Sequence, residues 1–159
     1  MKISFSPPDI TEQEIQKVAE ALRSGWITTG PRTKEFEKRI AAYCHTQMAV
    51  CLNSATACME MALRLLGVGI GDEVIVPAYT YTATASVVCH VGAKPVMVDC
   101  APNAFEMDYA QVAAAINKRT KVIIPVDLAG VMCDYDAIFK LVELKRALFR
   151  PNNDIQKAF

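Results

Sequence analysis

Asn53-Ser54-Ala55-Thr56-Ala57 is the stretch whose residue types and spacing are best suited to chemistry. The apolar run Met48–Leu52 enters it, and Cys58, Met59, Ala62, Leu63, Leu65 and Leu66 leave it at helical spacing. This is a strand, a tight turn of small hydroxyl residues and a helix. Ser54 is a ready N-cap, and Thr56 falls in the first turn. The first N–H groups of a helix have no intrahelical partner, and the macrodipole makes that end positive. The ligand suited to such an end is an anion, most often a phosphate. A capped strand–helix turn that binds nothing has the same local pattern.

The elements that must hold this turn alternate. Thr11-Glu-Gln-Glu14 is a capping box, followed by Ile15, Val18, Ala19 and Leu22 at helical spacing and by Ser24-Gly25 as a stop. A polar and aromatic connection, Trp26–Gly30, leads to Pro31 and a second helix striped by Phe36, Ile40 and Tyr43. Strands are then expected at Met48–Leu52, Glu73–Val76, Pro95–Val98 and Lys121 to about Val126. Helices are expected at Ala55–Leu66, at Thr80–Val91, after Asp108, and after Asp134 or Asp136. The strand runs are near-continuously apolar rather than alternating, the pattern of strands covered on both faces. The fold class is therefore α/β, a mostly parallel sheet with crossover helices. Ligands of such sheets bind beyond the carboxyl ends of the strands. Those positions hold Ser54-Ala55-Thr56, Tyr79-Thr80-Tyr81, Asp99 and Asp127.

Composition narrows the function classes. The 159 residues are 52% apolar, with 17 basic and 17 acidic residues, so no charge excess argues for nucleic acid or an anionic membrane. No apolar run is long enough to span a bilayer, and Met1–Pro8 lacks the apolar core of a signal peptide. Six cysteines without a Cys-x-x-Cys pair read as small buried hydrophobes in a reduced cytosol. His45 and His90 stand far apart and read as structural, so no metal is expected. Lys94, Lys118 and Lys121 flank strands and read as solvated charges. Leu144–Phe159 is a basic, polar stretch with no strand after it. The domain organisation expected is N-terminal helices over 1–45, βα units over 46–144, and a tail over 145–159 that is truncated or poorly ordered.

Ser24–Pro31, Asn53–Ala57, Gly71–Pro77, Lys94–Asp99 and Ile124–Gly130 occur in an order and spacing that resembles the DegT/DnrJ/EryC1/StrS aminotransferases, pyridoxal-phosphate-dependent sugar aminotransferases of fold type I. The resemblance runs from Phe5 to about Leu144. It implies pyridoxal 5'-phosphate (PLP) as cofactor, with its phosphate at Ser54, Ala55 and Thr56 and its ring against Tyr81. It also implies a homodimer in the cytoplasm, with Thr28, Thr29 and Gly30 reaching the substrate. The reaction implied is transfer of an amino group, usually from glutamate, to the keto group of a nucleotide-linked sugar. Two further readings are a pyridoxamine-dependent sugar dehydratase of the same family and a non-catalytic phosphate-ligand or interaction module. The chain departs from the family pattern at Asp127, where histidine is usual, and at Ala129, where an aromatic is usual. No lysine here has the context of the Schiff-base lysine, so no catalytic residue is assigned. The chain is expected to be the front part of a larger domain, inactive alone.

Overall fold

A computed structural model describes residues 7–158. The expectations for Met1–Ser6, including the start of the resemblance at Phe5, and for Phe159 lie outside the described residues. The chain divides into two compact units, residues 1–51 and 52–159.

The first unit is helical. Helix α1 (Glu12–Arg23) starts at the expected capping box, with Thr11 and Glu14 exchanging side-chain and backbone hydrogen bonds. Those bonds hold the Glu14 carboxyl below its ordinary range. Helix α2 (Pro31–Tyr43) has Gly30 as N-cap and Pro31 in its first turn. Met48–Leu52, expected as a strand, forms no ladder among the described residues, and Met48 and Val50 are exposed. A strand exists only through hydrogen bonds to a neighbour, and apolar character alone supplies none.

The second unit is α/β, as expected. Helix α3 (Ala55–Leu65) leads to strand β1 (Glu73–Pro77), helix α4 (Ala83–His90), strand β2 (Lys94–Val98), helix α5 (Tyr109–Ala115), strand β3 (Thr120–Ile123) and helix α6 (Tyr135–Lys145). The sheet is parallel, in the order β2-β1-β3, with Ile75 opposite both Val96 and Ile123. β2 and β3 lie on opposite sides of β1, so successive crossovers run in opposite directions. Right-handed crossovers then place α4 and α5 on opposite faces. The packing agrees. Val74 and Val76 meet Leu63, Val87 and Val88 on one face, while Ile75 meets Val98, Met107 and Val112 on the other. β1 is buried throughout, which accounts for the unbroken apolar run Val74–Pro77 behind the ion-paired Glu73. Helix α4 begins later than the expected Thr80, because Thr82 occupies its N-cap position. Asp108 and Asp134 cap α5 and α6.

At the amino end of β1 a polar cluster is buried. Asp72 is 1% exposed and accepts hydrogen bonds from Gly69 N–H (3.1 Å), Gln156 Nε2 (2.7 Å) and Asn152 Nδ2 (2.9 Å). Lys121 is not a solvated charge. Its position is a register irregularity, since Thr120 pairs with Glu73 and Val122 with Val74. A bulge re-aims its side chain. Its ammonium is buried, 3.7 Å from Asp72, donates to Arg150 O at 2.6 Å and lies over the Phe149 ring. Residues 146–158, expected as a basic tail, include two 3-10 turns, and Asn153 and Gln156 both donate to Gly67 O. The cysteines also differ from expectation. Only Cys133 is buried; Cys51 and Cys100 are half-buried, and Cys44, Cys58 and Cys89 are exposed.

Candidate active site

Two loops of the second unit meet the carboxyl edge of the sheet. α3 leads through Gly67–Asp72 to the amino end of β1, so its own N-terminus points toward the carboxyl edge. α4 follows the carboxyl end of β1 and therefore starts at that edge. The C-terminal ends of the two helices lie together, with Ile70 packed on Gly92, and Glu60 Oε2 is 2.9 Å from His90 Nδ1. His90 is thus a structural histidine. His45 takes a left-handed conformation just after α2.

At the start of α3 the Ser54 hydroxyl accepts the Ala57 N–H at 3.1 Å, and Ser54 O accepts the Cys58 N–H. The N–H groups of Ala55 and Thr56 donate to nothing among the described residues. Ser54 and Ala55 are exposed and Thr56 half-buried, so the helix end is open to solvent. Two free N–H donors, a hydroxyl at Thr56 and the positive end of an 11-residue helix form a donor set that fits a phosphate group.

Tyr79 and Tyr81 follow β1. The Tyr79 ring stacks on Phe105, with centroids 5.7 Å apart. Tyr81 is 82% exposed and is the aromatic left available to a ligand. Sequence alone does not separate these two, because the partner of Tyr79 is remote in the chain. Asp99 accepts from Cys100 N–H and serves its own turn. Asp127 accepts from Cys133 N–H (2.9 Å) and the Tyr135 hydroxyl (3.0 Å), and these bonds hold its carboxyl below the ordinary range. The same bond pushes the Tyr135 phenol up.

Thr28, Thr29 and Gly30 belong to the first unit. Thr28 and Thr29 are exposed, and Thr29 O accepts from Trp26 Nε1 at 3.1 Å. Gly30 has an extended backbone that any residue could take, but a Cβ there would overlap the Trp26 indole. Its glycine is required by that close approach, a signal that spacing alone does not carry.

A parallel sheet bearing an anion-ready helix start and an exposed aromatic at its carboxyl edge defines a class of α/β phosphate-ligand proteins. Within that class the chain belongs to the DegT/DnrJ/EryC1/StrS aminotransferase family, whose model matches residues 8–148. It is 48% identical over 136 residues to a UDP-4-amino-4-deoxy-L-arabinose–oxoglutarate aminotransferase of Shewanella sediminis, an alignment covering 86% of this chain and 35% of that one. It is 41% identical to the spore coat polysaccharide biosynthesis protein SpsC of Bacillus subtilis, covering 89% and 36%. Spr1654 of Streptococcus pneumoniae, assigned as a sugar aminotransferase, superposes in its PLP form with a TM-score of 0.94 at 61% identity, covering 100% of this chain and 41% of that one. The chain thus spans little more than a third of these relatives, and its fold is that of fold type I transferases.

Proposed function

We propose that this chain forms the phosphate-and-ring half of the site of a PLP-dependent aminotransferase. Its reaction moves an amino group from an amino acid, glutamate, to a keto group on a nucleotide-linked sugar. The observation that carries the proposal is the pair of free N–H groups of Ala55 and Thr56 at the carboxyl edge of the sheet. Relatives named for sugar amination and polysaccharide synthesis, and a similar structure solved with PLP, support it.

Each residue then has a role at a stated atom. The Ser54 hydroxyl oxygen accepts the Ala57 N–H and so fixes the helix start, and its O–H remains to donate to a phosphate oxygen. Ala55 N–H, Thr56 N–H and the Thr56 hydroxyl bind the phosphate oxygens. Tyr81 offers a ring face to the cofactor ring, at an edge where Tyr79 is already stacked. PLP, when bound, supplies the electron sink that transamination requires. No lysine of this stretch is assigned as the amine nucleophile, and the stretch spans 35–41% of the length of these relatives. The working unit is a homodimer in the cytoplasm, with the exposed Thr28 and Thr29 offered to the sugar substrate across its interface and Gly30, buried against the Trp26 indole, shaping the turn that carries them.

Equilibrium dialysis of the chain against PLP and against unphosphorylated pyridoxal tests the phosphate assignment. PLP should be retained and pyridoxal not. Thr56→Ala should weaken PLP retention by about tenfold, the loss of one hydrogen bond to a charged group. Equal retention of both compounds, or of neither, overturns the assignment.

A further inference from the structure

The loop after β3 holds a feature that the cofactor reading leaves unused. Its backbone reverses through Ala129 (φ 53) and Gly130 (φ 79), two left-handed residues of which one is alanine. A non-glycine residue in that region persists only where its surroundings enforce it. The group that bonds across this reversal is the carboxylate of Asp127, the residue at the start of the loop. One carboxylate oxygen accepts from the N–H of Cys133, where the loop ends, and the other accepts from the hydroxyl of Tyr135, the first residue of α6. The Cys133 thiol donates back to Val126 O at 3.3 Å. From α5, the Tyr109 hydroxyl accepts from Asp134 N–H (2.8 Å) and donates to Glu106 (2.6 Å). The loop is therefore clasped from its own first residue and from the neighbouring helix. β3 pairs directly with β1, so the loop stands beside the strand that leads to Tyr79 and Tyr81.

We propose that Asp127 is a positioning residue that closes the 128–133 loop into one course at the carboxyl edge of the sheet, with Tyr135 as its obligatory partner. Two donors converge on it, and a carboxylate supplies two acceptor oxygens for them. Asparagine keeps one acceptor and alanine none. Without the clasp the loop opens, and the buried Cys133 is the side chain it uncovers. The clasp stands without the cofactor assignment; only the naming of this edge as the site's edge rests on it.

The test uses the full chain without cofactor. Iodoacetamide labelling is followed cysteine by cysteine with peptide mass spectrometry. Asp127→Ala should raise the rate at Cys133 by about tenfold while Cys58 and Cys89, on α3 and α4, stay within about twofold. Asp127→Asn should recover at least part of the protection. Tyr135→Phe should raise the rate several-fold; it leaves the Asp127 charge in place, so a rise there reports opening and not a change in thiol ionisation. The double variant should label no faster than Asp127→Ala alone. Unchanged Cys133 labelling in Asp127→Ala and Tyr135→Phe, or a rise shared by Cys58 and Cys89 in both, overturns the proposal.

Discussion

At the start of α3, two functions that usually coincide are carried by different atoms. The Ser54 hydroxyl stabilises the helix, and the free N–H groups of Ala55 and Thr56 face outward. They can be separated by substitution. Ser54→Ala removes the cap and should cost about 1 kcal/mol in a urea titration. Ser54→Asp keeps an equally good cap and adds negative charge at the positive helix end, so stability should hold or rise. The same charge repels a phosphate, so PLP retention should fall although the fold is intact. Retention unaltered by the aspartate would place the phosphate elsewhere. This turn was legible in the sequence because capping is local, with donor and acceptor three residues apart. The choice of Tyr81 over Tyr79 rests on the resemblance, and the burial of Lys121 has no local signal in the sequence. Tyr79 is engaged by Phe105, and Lys121 by Asp72 and Arg150, contacts that only the closed fold creates.

At the scale of elements, α3 is anchored at both ends. Its start is capped by Ser54, and the carbonyl of Gly67 just past its end is held by Asn153 and Gln156. Asp72 ties the same segment down through Asn152 and Gln156. Removing one partner of a buried ion pair strands the other charge, at a cost of about 3–5 kcal/mol. Asp72→Ala should therefore destabilise the chain in urea at least as much as the core truncation Leu63→Ala, for which about 2–5 kcal/mol is expected. A loss under about 1 kcal/mol would show that residues 150–158 are not fastened through Asp72. The parallel sheet was legible from apolar runs, which at β1 follow from burial on both faces; at β2 the run is apolar although Met97 is 62% exposed. The same signal failed at Met48–Leu52, where the apolar character is present but no strand offers it a ladder. At β2 the open side of the sheet carries Lys94 and Pro95, residue types that discourage further pairing.

For the molecule as a whole, equal numbers of acidic and basic residues conceal an uneven distribution, because some carboxylates are taken up inside the fold. Glu73, next to the buried Asp72, is one of them, with its side chain 5% exposed at the amino end of β1. The Asn117 side-chain amide, 2.7 Å away, is the largest influence holding its carboxyl below the ordinary range; burial opposes it, and Arg119 at 2.7 Å reinforces it. A carboxyl depressed on folding contributes stability above its unfolded value, about 4.3, and loses that contribution as pH falls through the folded value. Urea midpoints of the wild-type chain and of Glu73→Gln should therefore differ most near pH 7 and converge below about pH 4. Half-buried carboxylates such as Glu60 and Asp108 are also depressed, but they are common to both proteins and cancel in the difference. Curves that stay parallel from pH 7 to pH 3 would mean that the Glu73 charge does not stabilise the sheet, and that Asn117 and Arg119 serve only to satisfy it.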